Sequence, residues 1–285
     1  MRPGGSAWRA LWPVLPLLAF LVLVVVGPIA RVLLWGLAPS MAPTASTGSP
    51  WRELVATPLY REALARTFRL SLTVTLACLV LGYPVAYVLA RTGGWRGQLL
   101  LTLVVAPFWI SVLARSFTWM VLLQRQGVVN RILLALGLVT EPAPLVYNEV
   151  GVHVGMVHVL LPYMILSLYG AMRAIDPGLL RAAAGLGATE WQAFRRIWWP
   201  LSLSGVAAGS LLLFVVALGF FVTPALLGGG KVTTLAMLIE AHVSQAQDWP
   251  LAAALGLVLL VATLLALVPA QRALRLEALV GAGGR

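Results

Sequence analysis

An all-α, polytopic membrane protein with about six helical spans follows from three observations. Hydrophobic residues make up 60% of the 285 and charged residues only 10%, giving a mean hydropathy of +0.93, well above that of ordinary soluble domains. Four stretches, 70–90, 150–172, 200–230 and 251–271, hold no Asp, Glu, Lys or Arg. Each is long enough for the roughly 20 residues that cross the hydrocarbon core. Two more, 11–38 and 99–123, are interrupted once each, by Arg31 and Arg115, and complete the six.

Taken in order, the first stretch follows Arg2 and Arg9 and precedes a small-residue patch at Ala38–Ala42, which imitates a secretory signal. Its apolar run exceeds the 7 to 15 residues or so of a signal core, so it is expected to be a retained span. Pro39 to Pro50, rich in Pro, Ser, Thr and Gly, reads as an outside linker. Prolines inside later spans, at 84, 107, 162 and 224, are expected to kink their helices. The pairs Gly151/Gly155 and Gly205/Gly209 mark faces where helix backbones approach closely. Residues 127–138 are apolar but too short to span, and predict a helix lying in the outer interface.

An even number of spans puts both termini on one side. Segments 1–10, 91–98, 173–199 and 271–285 carry eleven Arg, against six Lys or Arg over 39–67, 124–149 and 231–250. Positive loops stay inside, so both termini are expected in the cytoplasm. A net charge of +11 sits in short loops beside spans, where anionic lipid accounts for it, and this excludes nucleic acid as a partner. Cys78 is the only cysteine, so no intrachain disulfide forms. His153 and His158 fall on different helix faces, which argues against a metal site. The run Gly228-Gly229-Gly230-Lys231 lacks the first Gly and the Ser/Thr of a phosphate-binding loop. ATP hydrolysis is therefore not expected in this chain, and no cofactor is called for.

The longest inside segment, Arg173 to Trp199, reads as two short capped helices. Asp176 is an N-cap with Pro177 at the first helical position, and Gly185 and Gly187 supply the stop. Thr189 and Gln192 have capping-box spacing, with Glu190 in the first turn. The second helix is expected to align Trp191, Phe194, Ile197 and Trp198 on one apolar face, turn Arg195 and Arg196 elsewhere, and end at Pro200. Such a ridge either packs on the chain's own spans or lipid, or docks a partner.

The run from Asp176 to Arg196, closing at Pro200-Leu201, resembles the EAA loop of ABC importer permeases, with matches at Ala182, Ala183, Gly187, Ala188, Phe194 and Pro200. The resemblance implies that this loop, including Asp176, Arg181, Thr189 and Arg195, docks into a cleft on cytoplasmic ABC ATPase subunits. One departure is Arg181, where the family usually has Glu. Residues 68–91, 106–138, 150–169 and 220–230 are similar to the spermidine/putrescine permease subfamily, whose members also handle other small organic solutes. What this implies is a type I permease fold over 66–272, an N-terminal span and linker over 1–65, and a cytoplasmic tail over 273–285. It further implies a second permease subunit, an external solute-binding protein, a place in the inner (plasma) membrane of a bacterial cell, and a pore-forming rather than enzymatic role.

Candidate pathway residues are Trp109, Arg115, Tyr163 and Phe220. Arg115 lies about 12 Å of helical rise from the outer end of its span, near enough to snorkel. Its alternatives are contact with an anionic substrate group or stabilisation of the closed pore. The spans lacking Asp and Glu make a poor trap for a polyamine cation on their own. An ion-driven transporter is disfavoured by the absence of paired halves and buried acids, and a lipid enzyme by scattered carboxylates.

Overall fold

The computed structural model describes residues 15–42 and 49–282; expectations for residues 1–14, which include the start of the first expected span, for 43–48 of the linker and for the last three residues of the tail lie outside it. In chain order the helices are α1 (Leu15–Leu21, a π turn at Val22–Val26, then Gly27–Leu37), α2 (Pro50–Ala56), α3 (Pro58–Arg91), α4 (Gly94–Val105), α5 (Val112–Leu122), α6 (Val128–Ala135), α7 (Glu149–Arg173), α8 (Pro177–Gly185), α9 (Glu190–Leu218), α10 (Val222–Leu227), α11 (Leu235–Ser244) and α12 (Trp249–Ala282). Among the described residues five helices are long and apolar enough to cross a membrane, at Ala19–Leu37, Pro58–Arg91, Glu149–Arg173, Glu190–Leu218 and Trp249–Val268. The residues after the last of these continue α12 as far as Ala282.

The third expected span is not one rod. α4 runs into a 3-10 turn at Ala106–Trp109, the chain is extended at Ile110 and Ser111, and α5 leaves at 95°. Pro107 explains the break: it brings no N–H to the ladder, and its ring crowds the carbonyl one turn back. Pro84 and Pro162 sit inside α3 and α7 without interrupting them. The fifth span, expected over 200–230, stops at Leu218; Gly219 to Phe221 break it and α10 follows. Pro200 does not end a helix, which corrects the expectation. A π turn at Phe194–Trp198 carries the chain into Trp199–Leu218, moving the backbone carbonyls that the Pro200 ring would strike.

Two compact units divide the chain, Met1–Arg61 with Leu238–Val261, and Glu62–Met237 with Ala262–Arg285. In the first, Gly36 sits against the backbone of Ala253 at 3.0 Å from a notional Cβ, and Trp35 meets Trp249 edge to face. Tyr60 donates toward Glu53 and approaches the His242 ring at 3.3 Å.

In the second unit α7 is the central post. Val152, Met156, Leu160, Met164, Leu168 and Met172 are sealed along it, and Leu70, Val74, Cys78, Leu89, Leu213 and Ala217 of α3 and α9 close over them. The glycine pairs act as expected. Gly205 lies on Ala171, Gly209 on Ser167 and Met164, and Gly155 on Leu227 and Thr223, so bare backbone lets α9 and α10 seat on α7. At the N-terminal end of α7, Glu149 pairs with Arg69 and, at 3.9 Å, with Arg66.

The short helix expected over 127–138 forms as α6. Its anchor is Asn130, fully buried, whose amide donates to the carbonyls of Gln124 and Ala143 and whose Oδ1 accepts from the Ala143 N–H. Asn130→Ala strands one donor and two acceptors, and is expected to destabilise the fold by about 2 kcal/mol, read as a lower thermal unfolding midpoint in detergent.

Candidate coupling loop and pathway

The two helices expected between Asp176 and Pro200 are both present, with their caps. Asp176 Oδ1 accepts from the Gly178 N–H at 2.7 Å, and Pro177 opens α8. α8 closes as a Schellman turn: Gly187 adopts φ +81°, Ala188 N–H reaches Ala183 O, and Gly187 N–H reaches Ala184 O. Thr189 and Gln192 then bond reciprocally, the backbone N–H of each donating to the other's side chain. Four local signals thus fold one elbow.

The apolar face of the second helix is divided. Phe194 meets Tyr83 and Tyr87 edge to face, and Trp198, 5% exposed, meets Tyr87 at 5.1 Å. Trp191 stacks on Phe194 but is 67% exposed. The π turn is the physical reason, since wider winding rotates these side chains away from a 3.6-residue register. The outer surface of the elbow carries Leu179, Leu186, at 90% exposed, and Trp191, flanked by exposed Arg181, Arg195 and Arg196. Ala182 is exposed, and Ala183 and Ala188 are half-buried.

Tyr83, Tyr87 and Arg91 of α3 also belong to this site, and sequence reasoning passed over all three. Arg91, in the last turn of α3, donates to the Tyr87 hydroxyl at 2.5 Å, lies over its ring and pairs with Glu190 at 3.7 Å. These contacts tie the elbow to α3, although the ion pair is exposed and adds little by itself. A cavity of ≈ 230 Å³ lies behind it, lined among others by Tyr87, Arg91, Arg181, Glu190 and Phe194. An arginine closing a long helix is ordinary dipole complementation, so nothing in the sequence set Arg91 apart.

Three of the four pathway candidates, Trp109, Arg115 and Tyr163, lie at or beside the break between α4 and α5. Trp109 stands on it, 80% exposed, and its neighbour Phe108 packs edge to face on Tyr163 at 4.8 Å. Arg115, in the first turn of α5, is 5% exposed: protein encloses its side chain, where snorkelling was expected. Ser116 and Thr223 share a hydrogen bond of 2.7 Å, and Trp119 meets His158, so α5 rests on α10 and α7. Phe220 lies in the break between α9 and α10, packed against the central core.

The likeness extends to known proteins. The chain is 38% identical over 219 residues to the spermidine/putrescine transport system permease protein PotB of Escherichia coli (strain K12), covering 77% of this chain and 80% of that protein. Its fold matches a chain from the crystal structure of a bacterial ABC transporter involved in the import of the acidic polysaccharide alginate, with a TM-score of 0.69 and 19% identity over 94% of this chain and 95% of that one. It also matches a chain of the inward-facing MetNI methionine ABC transporter, with a TM-score of 0.59 and 16% identity over 81% of this chain and 99% of that one. Residues 79–274 match the family described as binding-protein-dependent transport system inner membrane component, so the chain belongs to that family, the inner-membrane permease subunits of ABC importers.

Proposed function

We propose that this permease couples to a separate cytoplasmic ABC ATPase through the loop 176–200 and forms half of a translocation pathway for a small organic solute, a polyamine or a related compound. The observation that carries this reading is the elbow itself: a doubly capped, rigid turn that presents Leu186 and Trp191 to solvent instead of burying them. Within it Asp176, Gly187 and Thr189 set the shape, while Arg181, Ala182, Ala183, Ala188, Phe194, Arg195 and Pro200 complete the docking element. The PotB resemblance supports the solute class.

A second permease subunit, a paralogue of this chain, completes the pore across a pseudo-twofold axis, and an external solute-binding protein delivers the solute. Residues 66–272 make the transmembrane domain, 1–65 an N-terminal span with its outside linker, and 273–285 a cytoplasmic tail, with both termini inside. ATP-driven closure of the ATPase pair moves the elbow, and the spans rock to expose the pathway by Trp109, Arg115, Tyr163 and Phe220 to alternate sides. Co-purification from native membranes tests this. An ATPase subunit is expected in the complex, with ATP hydrolysis stimulated by the loaded binding protein; a complex without an ATPase overturns the assignment.

A further inference from the structure

Only Thr92 and Gly93 connect α3 to α4, and beyond them the two helices part to leave a groove of ≈ 470 Å³. Every residue lining it is apolar, among them Val85 and Val88 of α3 and Leu100, Leu103 and Val104 of α4. Val85, Val88, Leu100 and Leu103 are exposed, so the groove opens outward. Its depth is that of one leaflet. Leu103 stands about 14 Å of helical rise beyond Gly94, and Pro84 about 10 Å before the end of α3, against ~30 Å for the whole hydrocarbon core. Arg91, at that end of α3, pairs with Glu190, so the connection lies on the elbow side of the membrane.

The mouth of the groove is aromatic and cationic. Steps of four residues put Arg96 one turn before Leu100, and Trp95 two turns before Leu103, on the same outward stretch of α4. Trp95 is exposed, as a tryptophan at headgroup level is, and the Arg96 guanidinium lies 5.7 Å from its ring centre. Among the described residues Arg96 joins no ion pair, and no acidic residue occurs between Glu62 and Glu141 to answer it. It also stands in the first turn of a helix without a side-chain cap, where the dipole disfavours a cation and favours an anion.

We propose that this groove binds one anionic phospholipid of the elbow-side leaflet, with an acyl chain between α3 and α4 and the phosphate on Arg96. A groove without a donor or acceptor side chain offers nothing to a polar solute, whereas a hydrocarbon chain fills it. A helix of the second permease fits it less well. Helices in lipid meet through small residues, as α9 and α10 meet α7 through Gly205, Gly209 and Gly155, and the rim here is Val and Leu. The charge at the mouth selects the headgroup: a phosphate supplies the acceptor that Arg96 lacks, and a net negative lipid gains more from it than a zwitterionic one. The solute and the ATPase take no part in this site, so it stands or falls apart from the transport assignment.

The test is photolabelling of the purified complex in phosphatidylcholine nanodiscs. The probes are trace phosphatidylglycerol carrying a diazirine on one acyl chain and phosphatidylcholine with the same chains, and mass spectrometry locates the label. In the wild type, residues 85–88 and 100–104 are expected to take about fivefold more label from phosphatidylglycerol, the preference that one arginine near the surface confers. Arg96→Gln is expected to bring the two lipids level, Arg96→Lys to keep the preference, and Leu103→Trp, which fills the groove, to lower the label on Val85 and Val88. Absence of label from these residues in the wild type, as when the second permease covers them, overturns the site. Equal labelling by the two lipids, or an unchanged preference in Arg96→Gln, overturns it as well. So does loss of the acyl-chain label on adding free glycerol phosphate, which carries the charge without the chain. The wild-type ratio decides even if a variant fails to assemble.

Discussion

Gly187→Val is expected to strip the ATPase from the purified complex, whereas Gly187→Asn retains it. Gly187 holds φ +81° at the Schellman stop of α8, with open space where a Cβ would stand, so bulk is not the obstacle. The obstacle is backbone strain. An ordinary L-residue in the left-handed region costs about 1–2 kcal/mol, a β-branched one is an outlier there, and Asn visits it readily. Valine therefore rebuilds the turn, displaces Leu186 and parts the two caps that define the elbow. If docking must restore the native turn, that strain lowers affinity for the ATPase by about tenfold. Quantifying ATPase per permease after affinity purification checks this, and equal retention by Val and Asn contradicts the role given to the turn.

Gly205→Leu is expected to have the larger effect on the fold. A Cβ at this position collides with the Ala171 side chain on α7, in the helix pair that forms the middle of the second unit. Four added carbons cannot be accommodated without parting α9 from α7, and overpacking of this kind costs about 3 kcal/mol. The measurement is the yield of monodisperse protein in mild detergent and its unfolding midpoint, both of which fall, while Gly205→Ala falls less. An unchanged midpoint in Gly205→Leu argues that α9 and α7 do not pack through this face.

Much of this was legible in the residues because membranes impose long-range order on composition. Charge-free runs located α3, α7, α9 and the spanning part of α12, and the small-residue pairs at 151/155 and 205/209 named packing faces that exist. The elbow was legible for a different reason. Caps are local chemistry, so Asp176, Gly187 and the Thr189/Gln192 pair specify their turns without help from distant parts of the chain.

What escaped depended on tertiary context. Hydropathy counts apolar residues and does not see direction, so a run such as 99–123 looks the same whether it crosses or turns by 95° at Pro107. Pro84, Pro107 and Pro162 are alike in sequence, yet only Pro107 sits where the helix is broken. The destination of Phe194 and Trp198 was hidden by a π turn, which no residue type announces. Arg115 was judged by its distance to an interface, whereas α5 packs on α7 and α10 and leaves it buried.

The union of the elbow's second helix with the fifth span has a mechanical corollary. From Glu190 to Leu218 the backbone is one rod of 29 residues, about 43 Å long, with no loop to absorb strain. A displacement that reaches Trp199 therefore emerges at the far tip, beside Phe220, with little loss. The five-residue π turn is its one compliant point, so any bending during the transport stroke concentrates at Phe194–Trp198, under the aromatic clasp of Tyr83 and Tyr87.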